Sequence, residues 1–489
     1  MLAADRILLL ALCAAPLAAQ NATAAELAER EQKLHTSAVQ VLLSYARSAE
    51  SNKLPSRAVA AYELVLAHYD AENKIAKAAL AKAKGAADQG TAAQRRSTDQ
   101  GWTLAGKKLA PQHRDLGIAL LAIDDLLRGQ HHLELALRYD PSDLEAHKAL
   151  GHAEHNGFFG TDDEIAFCKR LAAIESRAKE LGATGYQPAA LPADKMPEEL
   201  RRSGLSLAGA KTRSFAIWTT SESAEPDTAA PAEMAEWGER AIALLEFTLG
   251  SAPARHAQVA IQARRNRWIA VVRSAEQWTA FFAANPQILE KAKLQSVPPQ
   301  SNFAFESSTG QAEIFLHRRE LDADSMIAHV TMWGFATDGN EGLGQGLVHT
   351  MTSLLVGTMN TWFGSPPPTQ ASPRKELPRD PKQWAARIRE EIAKGADWPA
   401  VQVPRERLSS FRENVRVKSW SFVYWLMARY PDRWTRAFKG LESEKNPMPE
   451  AIEAFFAKEF ERSLSELEQE WRQWAGGNSA IAKATGHSG

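Results

Sequence analysis

The sequence is poor in cysteine: Cys13 and Cys168 are the two thiols in 489 residues. Cys13 lies in an N-terminal apolar run, and removal of that run leaves Cys168 alone, which excludes an intrachain disulfide. The fold must therefore stand on packing, and a lone Cys168 in a helical run reads as a buried, inert thiol rather than a nucleophile. Charge of one sign is also lacking. Lys and Arg number 58 against 59 Asp and Glu, without a basic stripe interleaved with aromatics. A counterion-driven grip on nucleic acid has no source here. Beyond the first residues, no apolar run comes near the roughly 20 residues that a membrane span needs. Also missing are a Gly-x-Ser-x-Gly elbow, a Gly-x-x-x-x-Gly-Lys phosphate loop and a Gly-x-Gly-x-x-Gly turn after a strand.

What is present begins with length. A chain of 489 residues should hold two or three domains, and 44% apolar with 24% charged residues is the balance of a folded soluble protein. Residues 1–24 carry Arg6, the apolar run Ile7 to Cys13 and then small residues, the pattern of a cleaved secretory signal. Export to the periplasm or the extracellular medium is expected. A lipid anchor on Cys13 is disfavoured, because Leu12 stands where a small residue is needed.

Composition then divides the rest. Residues 25–185 read as helix after helix with Trp102 as their one tryptophan, and the other 13 tryptophans follow Ser214. Residues 186–213, rich in Pro, Gly and Ser, are expected as a linker, 214–476 as a second domain and 477–489 as a disordered tail. In the helical half, Ala136, Pro141, Leu150, Gly151 and Ala153 are spaced as in a tetratricopeptide repeat, with a weaker echo through Ala58, Tyr62, Leu66 and Gly129. An ordinary array of helical hairpins is the alternative, and either offers a groove for protein contacts. His131, His132, His147, His152 and His155 gather here, His152 and His155 at the spacing that shares a helix face. Without a carboxylate and cysteine set at ligand spacing they are read as surface histidines rather than a metal site.

The second domain opens with a strand near 214–219 and an amphipathic helix over about 232–249, whose Trp237, Ala241, Leu244, Leu245 and Thr248 share one face. Strands near 258–262 and 268–273 follow, then a helix capped by Ser274 with Gln277 three residues on. Asn302 to Glu306 and Ala312 to Leu316 form a hairpin. An apolar helical run from Leu321 reaches Ile327-Ala328-His329 and Trp333.

This order of elements resembles the peptidase MA-like branch of the gluzincin zinc metallopeptidases. The match extends through Ser419 to Met427, Arg429-Tyr-Pro-Asp432 and Ser463 to Glu468 with Trp471 and Trp474, similar to the helices that close such domains. The resemblance covers about 214–475 and implies an α+β zincin-like fold whose hairpin ends on an active-site edge strand. It also implies a His-Glu-x-x-His helix, in which two imidazoles one turn apart hold Zn²⁺ and the Glu activates water.

That motif is degenerate. With His329 as the first ligand, Val330 stands in place of the general base and Trp333 in place of the second His. The third ligand would be Glu341 or, in a shifted register, Gln345. A second register places His349 first, with Thr350 for the base, Ser353 for the second His and Ser365 for the third ligand. Every register lacks the base. The expectation is therefore an exported, non-catalytic metallopeptidase-like protein without cofactor or catalytic residues, which binds proteins or peptides through its helical repeats and a degenerate peptidase cleft, does not bind nucleic acid and has no integral membrane span. Two alternatives stay open. One is a zinc peptidase rearranged around His329, Glu341 and His349 with Asp338 as base. The other is a cell-envelope adaptor working through the helical half alone. His317, beside Arg318 and Arg319, is read as a surface residue, Gly342, Gly344 and Gly346 as close helix packing, and 364–382 as an exposed loop.

Overall fold

The computed structural model describes residues 22–83, 85–220, 231–249, 267–299, 302–316, 323–335, 341–359, 378–406, 412–434, 436, 441, 448–477 and 480–485. Residues 1–21 of the signal-like segment, the strand expected near 258–262, His317, Asp338 and Ser365 lie outside them. The chain divides into two units, Met1–Ile165 and Ala166–Gly489.

The first unit is helical. Helix α1 (Ala24–Ser51) starts at a capping box in which Thr23 and Glu26 satisfy each other's backbone donors, and it buries Leu27, Leu34, Ala38, Leu42 and Ala49 along one stripe. Helix α2 (Pro55–His68) takes its proline in the first turn, where no donor is lost. Helix α3 (Lys74–Ala83) follows, and α4 (Ala92–Leu121) repeats the capping box with Thr91 and Gln94. Helix α5 (Leu126–Tyr139), capped by Asp125, packs tightly on α4. The contact requires glycine: a Cβ on Gly117 would meet Gly129 O at 2.9 Å, and one on Gly129 would meet Gly117 O at 3.1 Å.

Beyond α5 the expected run of helices breaks. Helix α6 (Leu144–Ala149) is only 6 residues long and ends before Gly151, whose φ is +71°. Strands β1 (Ala153–His155) and β2 (Phe158–Gly160) then form a hairpin turned by Asn156 and Gly157 at φ 52° and 78°. An Asn-Gly pair supplies the two positive φ values of a tight hairpin turn. His152 and His155 therefore share no helix face, and the segment that repeat spacing placed on the next helix is this hairpin.

The second unit is α+β. Helix α7 (Asp162–Ala183) joins it from Ala166 onward and buries Cys168, at 3% exposure, as the sequence suggests. The stretch expected as a linker instead supplies strand β3 (Ala189–Leu191), the short helix α8 (Glu198–Arg202) and strand β4 (Leu207–Lys211). Strand β5 (Phe215–Thr220), helix α9 (Pro231–Thr248), strand β6 (Arg267–Val272) and helices α10 (Ala275–Ala284) and α11 (Pro286–Ala292) follow. Ser274 caps α10 by accepting from Gln277 N, as its spacing predicts. The hairpin of β7 (Asn302–Ser307) and β8 (Gly310–Leu316) leads to α12 (Ala323–Phe335) and α13 (Glu341–Val356).

The six strands lie in the order β3-β4-β5-β6-β8-β7, with β5, β6 and β8 parallel and the others antiparallel to their neighbours. The hairpin's first strand, β7, is thus the edge, whereas the sequence reading had placed its last strand there. Trp218, Ala270, Val272, Ala312 and Ile314 face a core with Trp278, Phe281 and Ile288 from α10 and α11. The alternate residues look the other way, and register aligns Ile217, Ile269 and Glu313 in one row across β5, β6 and β8.

Helices α14 (Pro381–Ala393), α15 (Glu413–Arg429), α16 (Pro449–Phe460) and α17 (Leu464–Ala475) complete the unit. Helix α13 packs along α15, and a Cβ on Gly346 would collide with the hydroxyl and backbone of Ser419, which is the close packing expected of that glycine. The tail expected as disordered carries α18 (Ala480–Ala484), tied down by Trp474 Nε1 donating to Thr485 Oγ1 at 3.0 Å.

Candidate functional site

The positions singled out by the sequence lie on α12, which carries His329, Val330 and Trp333, and on α13, which carries Glu341, Gln345 and His349. Ala312 and Ile314 point into one core layer, so the period of two turns Glu313 and Phe315 toward the other, where α12 brings His329. His329 Nε2 and Glu313 Oε2 are 2.8 Å apart, with side chains 3% and 4% exposed. The His329 ring stands edge-on to Phe315 with centroids 4.4 Å apart. In the register that makes His329 a zinc ligand, its Nε2 faces Glu313, a carboxylate outside the expected ligand set. Sequence reasoning passed over Glu313, although a lone acid inside the apolar strand Ala312-Glu-Ile-Phe-Leu316 was the available signal.

Among the described residues, the other positions of the two registers are core or helix structure. Val330 is buried beside His329, and Gln345 is buried within α13. Thr350 and Ser353, the second register's stand-ins, donate their hydroxyls back to Gly346 O at 2.8 Å and Thr350 O at 2.9 Å. His349 is 1% exposed with Trp384 edge-on at 5.0 Å, and neither ring nitrogen has a hydrogen-bond partner among the described residues. Burial, helped by the positive Arg416, lowers its pKa to about 3, so this imidazole is neutral. His329, Glu341 and His349 do not converge. Among the described residues, the one set of three or more His, Cys, Asp or Glu side chains with ligand atoms within 4.8 Å of one another is Glu31, His35 and His132.

Behind α15 lies a second buried polar group. Lys418 Nζ reaches Asp397 Oδ2 at 2.9 Å and Glu468 Oε1 at 2.6 Å, and sits 3.5 Å from the centre of the Trp471 ring. Arg472 adds contacts to the same two carboxylates. Desolvation lowers the lysine's pKa and the two acids oppose it. The set is charge-balanced and closed, which marks it as a structural knot rather than a reactive amine.

In the helical unit two of the five histidines read as surface residues are buried, and His131, His152 and His155 are half-buried. His132 is fully buried and His147 is 7% exposed. His147 Nδ1 lies 2.8 Å from His152 Nδ1, and its Nε2 lies 2.9 Å from Pro141 O. His132 stands at the head of a longer chain. Its Nε2 is 3.0 Å from Glu31 Oε1 and its Nδ1 is 2.9 Å from His113 Nδ1. His113 Nε2 is 2.9 Å from the Tyr69 hydroxyl, which is 2.7 Å from that of Tyr139. Desolvation lowers the His113 pKa to about 3 and raises that of Tyr139 to about 12, so both are neutral near pH 7. Glu31, His35 and His113 were missed from sequence, although Glu31 and His35 stand at the i, i+4 spacing of one helix face.

Comparison with protein-family models, with curated proteins and with solved structures finds no match.

Proposed function

We propose that the second unit is a peptidase MA-like domain without hydrolytic chemistry, and that the exported protein binds proteins or peptides. The observation that carries this reading is Val330, an apolar side chain buried at 5% exposure next to His329, where a water-activating acid belongs. The neighbouring His329 Nε2 lies 2.8 Å from Glu313 Oε2. The order of strand, long helix, strand, helix, hairpin and motif helix supports the family reading. A cleft of about 690 Å³ in the second unit, lined by Arg177, Glu180, Tyr186, Arg213, Glu239 and Glu246, offers donors and acceptors of both signs to a polypeptide.

Fluorescence anisotropy with a labelled, unstructured casein fragment, followed by mass spectrometry of the same sample supplemented with Zn²⁺, tests both halves of the proposal. Saturable binding with the fragment recovered intact is expected. Chelator-sensitive cleavage that disappears in His349→Ala would overturn the proposal in favour of a rearranged peptidase, and absence of binding would remove the polypeptide partner.

A further inference from the structure

We propose that Glu31, His35 and His132 of the helical unit form a binding site for a divalent transition metal of the Zn²⁺ type, a site independent of the degenerate motif. Helix α1 presents Glu31 and His35 on one face, and α5 brings His132 against them. Glu31 Oε1 lies 3.0 Å from His132 Nε2 and 4.0 Å from His35 Nε2, and the three ligand atoms fall within 4.8 Å of one another. Ligand bonds of about 2.0–2.2 Å in a tetrahedral site put neighbouring donor atoms about 3.3 Å apart. The 4.0 Å separation is too long for a hydrogen bond and exceeds the tetrahedral spacing from Glu31 by about 0.7 Å, and His35, whose side chain is 30% exposed, has room to move toward both partners. Two imidazoles and one carboxylate select a borderline ion such as Zn²⁺ over Mg²⁺ or Ca²⁺, which prefer oxygen throughout. With side chains of Glu31 and His35 21% and 30% exposed, the fourth position opens to solvent.

The surroundings are those of a supported metal site. Arg128 pairs with Glu31 Oε2 and with Asp125 Oδ2, the latter at 2.9 Å, which orients the carboxylate and leaves Oε1 for the ion. His132 Nδ1 is held by His113 Nδ1 at 2.9 Å, and a hydrogen bond on the nitrogen facing away from the ion fixes a ligand ring and its tautomer.

This contact has a directional consequence. Without an ion, the Nε2–H of His132 donates to Glu31, so its Nδ1 accepts from His113 and His113 Nε2 accepts from Tyr69. An ion on Nε2 requires the proton of His132 on Nδ1. His113 then accepts there, carries its own proton on Nε2 and donates to Tyr69, whose hydroxyl turns to Tyr139. Each imidazole keeps one proton and the whole chain reverses.

Zinc titration of the chelator-stripped full chain by calorimetry, with Co²⁺ absorption as a geometric probe and ¹⁵N-histidine NMR for the tautomers, tests the site. One equivalent of Zn²⁺ is expected, with tetrahedral Co²⁺ bands and His132 moving from the Nε2–H to the Nδ1–H form. His35→Ala should weaken binding at least 10-fold while near-ultraviolet circular dichroism stays unchanged, and Glu31→Gln should act in the same direction. Absence of stoichiometric binding, or binding that His35→Ala leaves intact, would overturn the proposal.

Discussion

The two units house buried polar groups in opposite ways. In the helical unit, Glu31, His132, His113, Tyr69 and Tyr139 form a relay in which each member has a neighbour to turn to and one end meets solvent at Glu31. In the α+β unit, Lys418 with Asp397 and Glu468 is a compact, largely buried, closed set, Glu313 and His329 meet with side chains 4% and 3% exposed, and His349 has no hydrogen-bond partner among the described residues. A relay can redistribute a lost bond. A closed set cannot, because removing one member strands the other where water does not reach.

Substitutions should expose that difference. Lys418→Met leaves Asp397 and Glu468 facing each other with only the partly exposed Arg472 between them. A loss of about 4 kcal/mol in urea unfolding is expected for stranding buried charges. Glu313→Ala should cost about 3 kcal/mol by removing a buried partner of His329, and Glu313→Gln clearly less.

His349 sharpens the comparison through pH. Its pKa is about 3 in the fold and near 6.5 in the unfolded chain, so below pH 6.5 the unfolded state takes up a proton that the native state refuses. Stability is complete above pH 6.5 and falls as pH drops, by about 1.4 kcal/mol at pH 5.5. His349→Leu should remove that part of the pH slope in denaturation curves and leave stability at pH 7.5 equal or higher. Smallest of all, Tyr139→Phe shortens the relay by its last hydroxyl, with an expected cost of about 1 kcal/mol. Equal losses for Tyr139→Phe and Lys418→Met would break the comparison.

Much of the layout was legible in the sequence, because it rests on local rules. Periodicity placed α9 and α10, Ser274 announced its cap, and Gly346 marked the close approach of α13 to α15. What escaped depends on long-range pairing. Strands β3 and β4 hide in a Pro- and Gly-rich stretch because their partners, not their own composition, make them strands. The β1–β2 hairpin was overridden by the repeat spacing around Pro141, although Asn156-Gly157 carries the turn signal. At the sites, Val330 was legible as an apolar residue directly after His329, and it is buried there. Glu313 and His113 acquire meaning only from what crosses to meet them, His329 from a later helix and His132 from a neighbouring one.

Cys168 is the one thiol among the described residues and is buried in α7. A thiol reagent can modify it only when that helix is uncovered. The second unit thus carries a built-in clock: labelling rates followed against denaturant would time the opening of its interior without a fluorophore or an engineered probe.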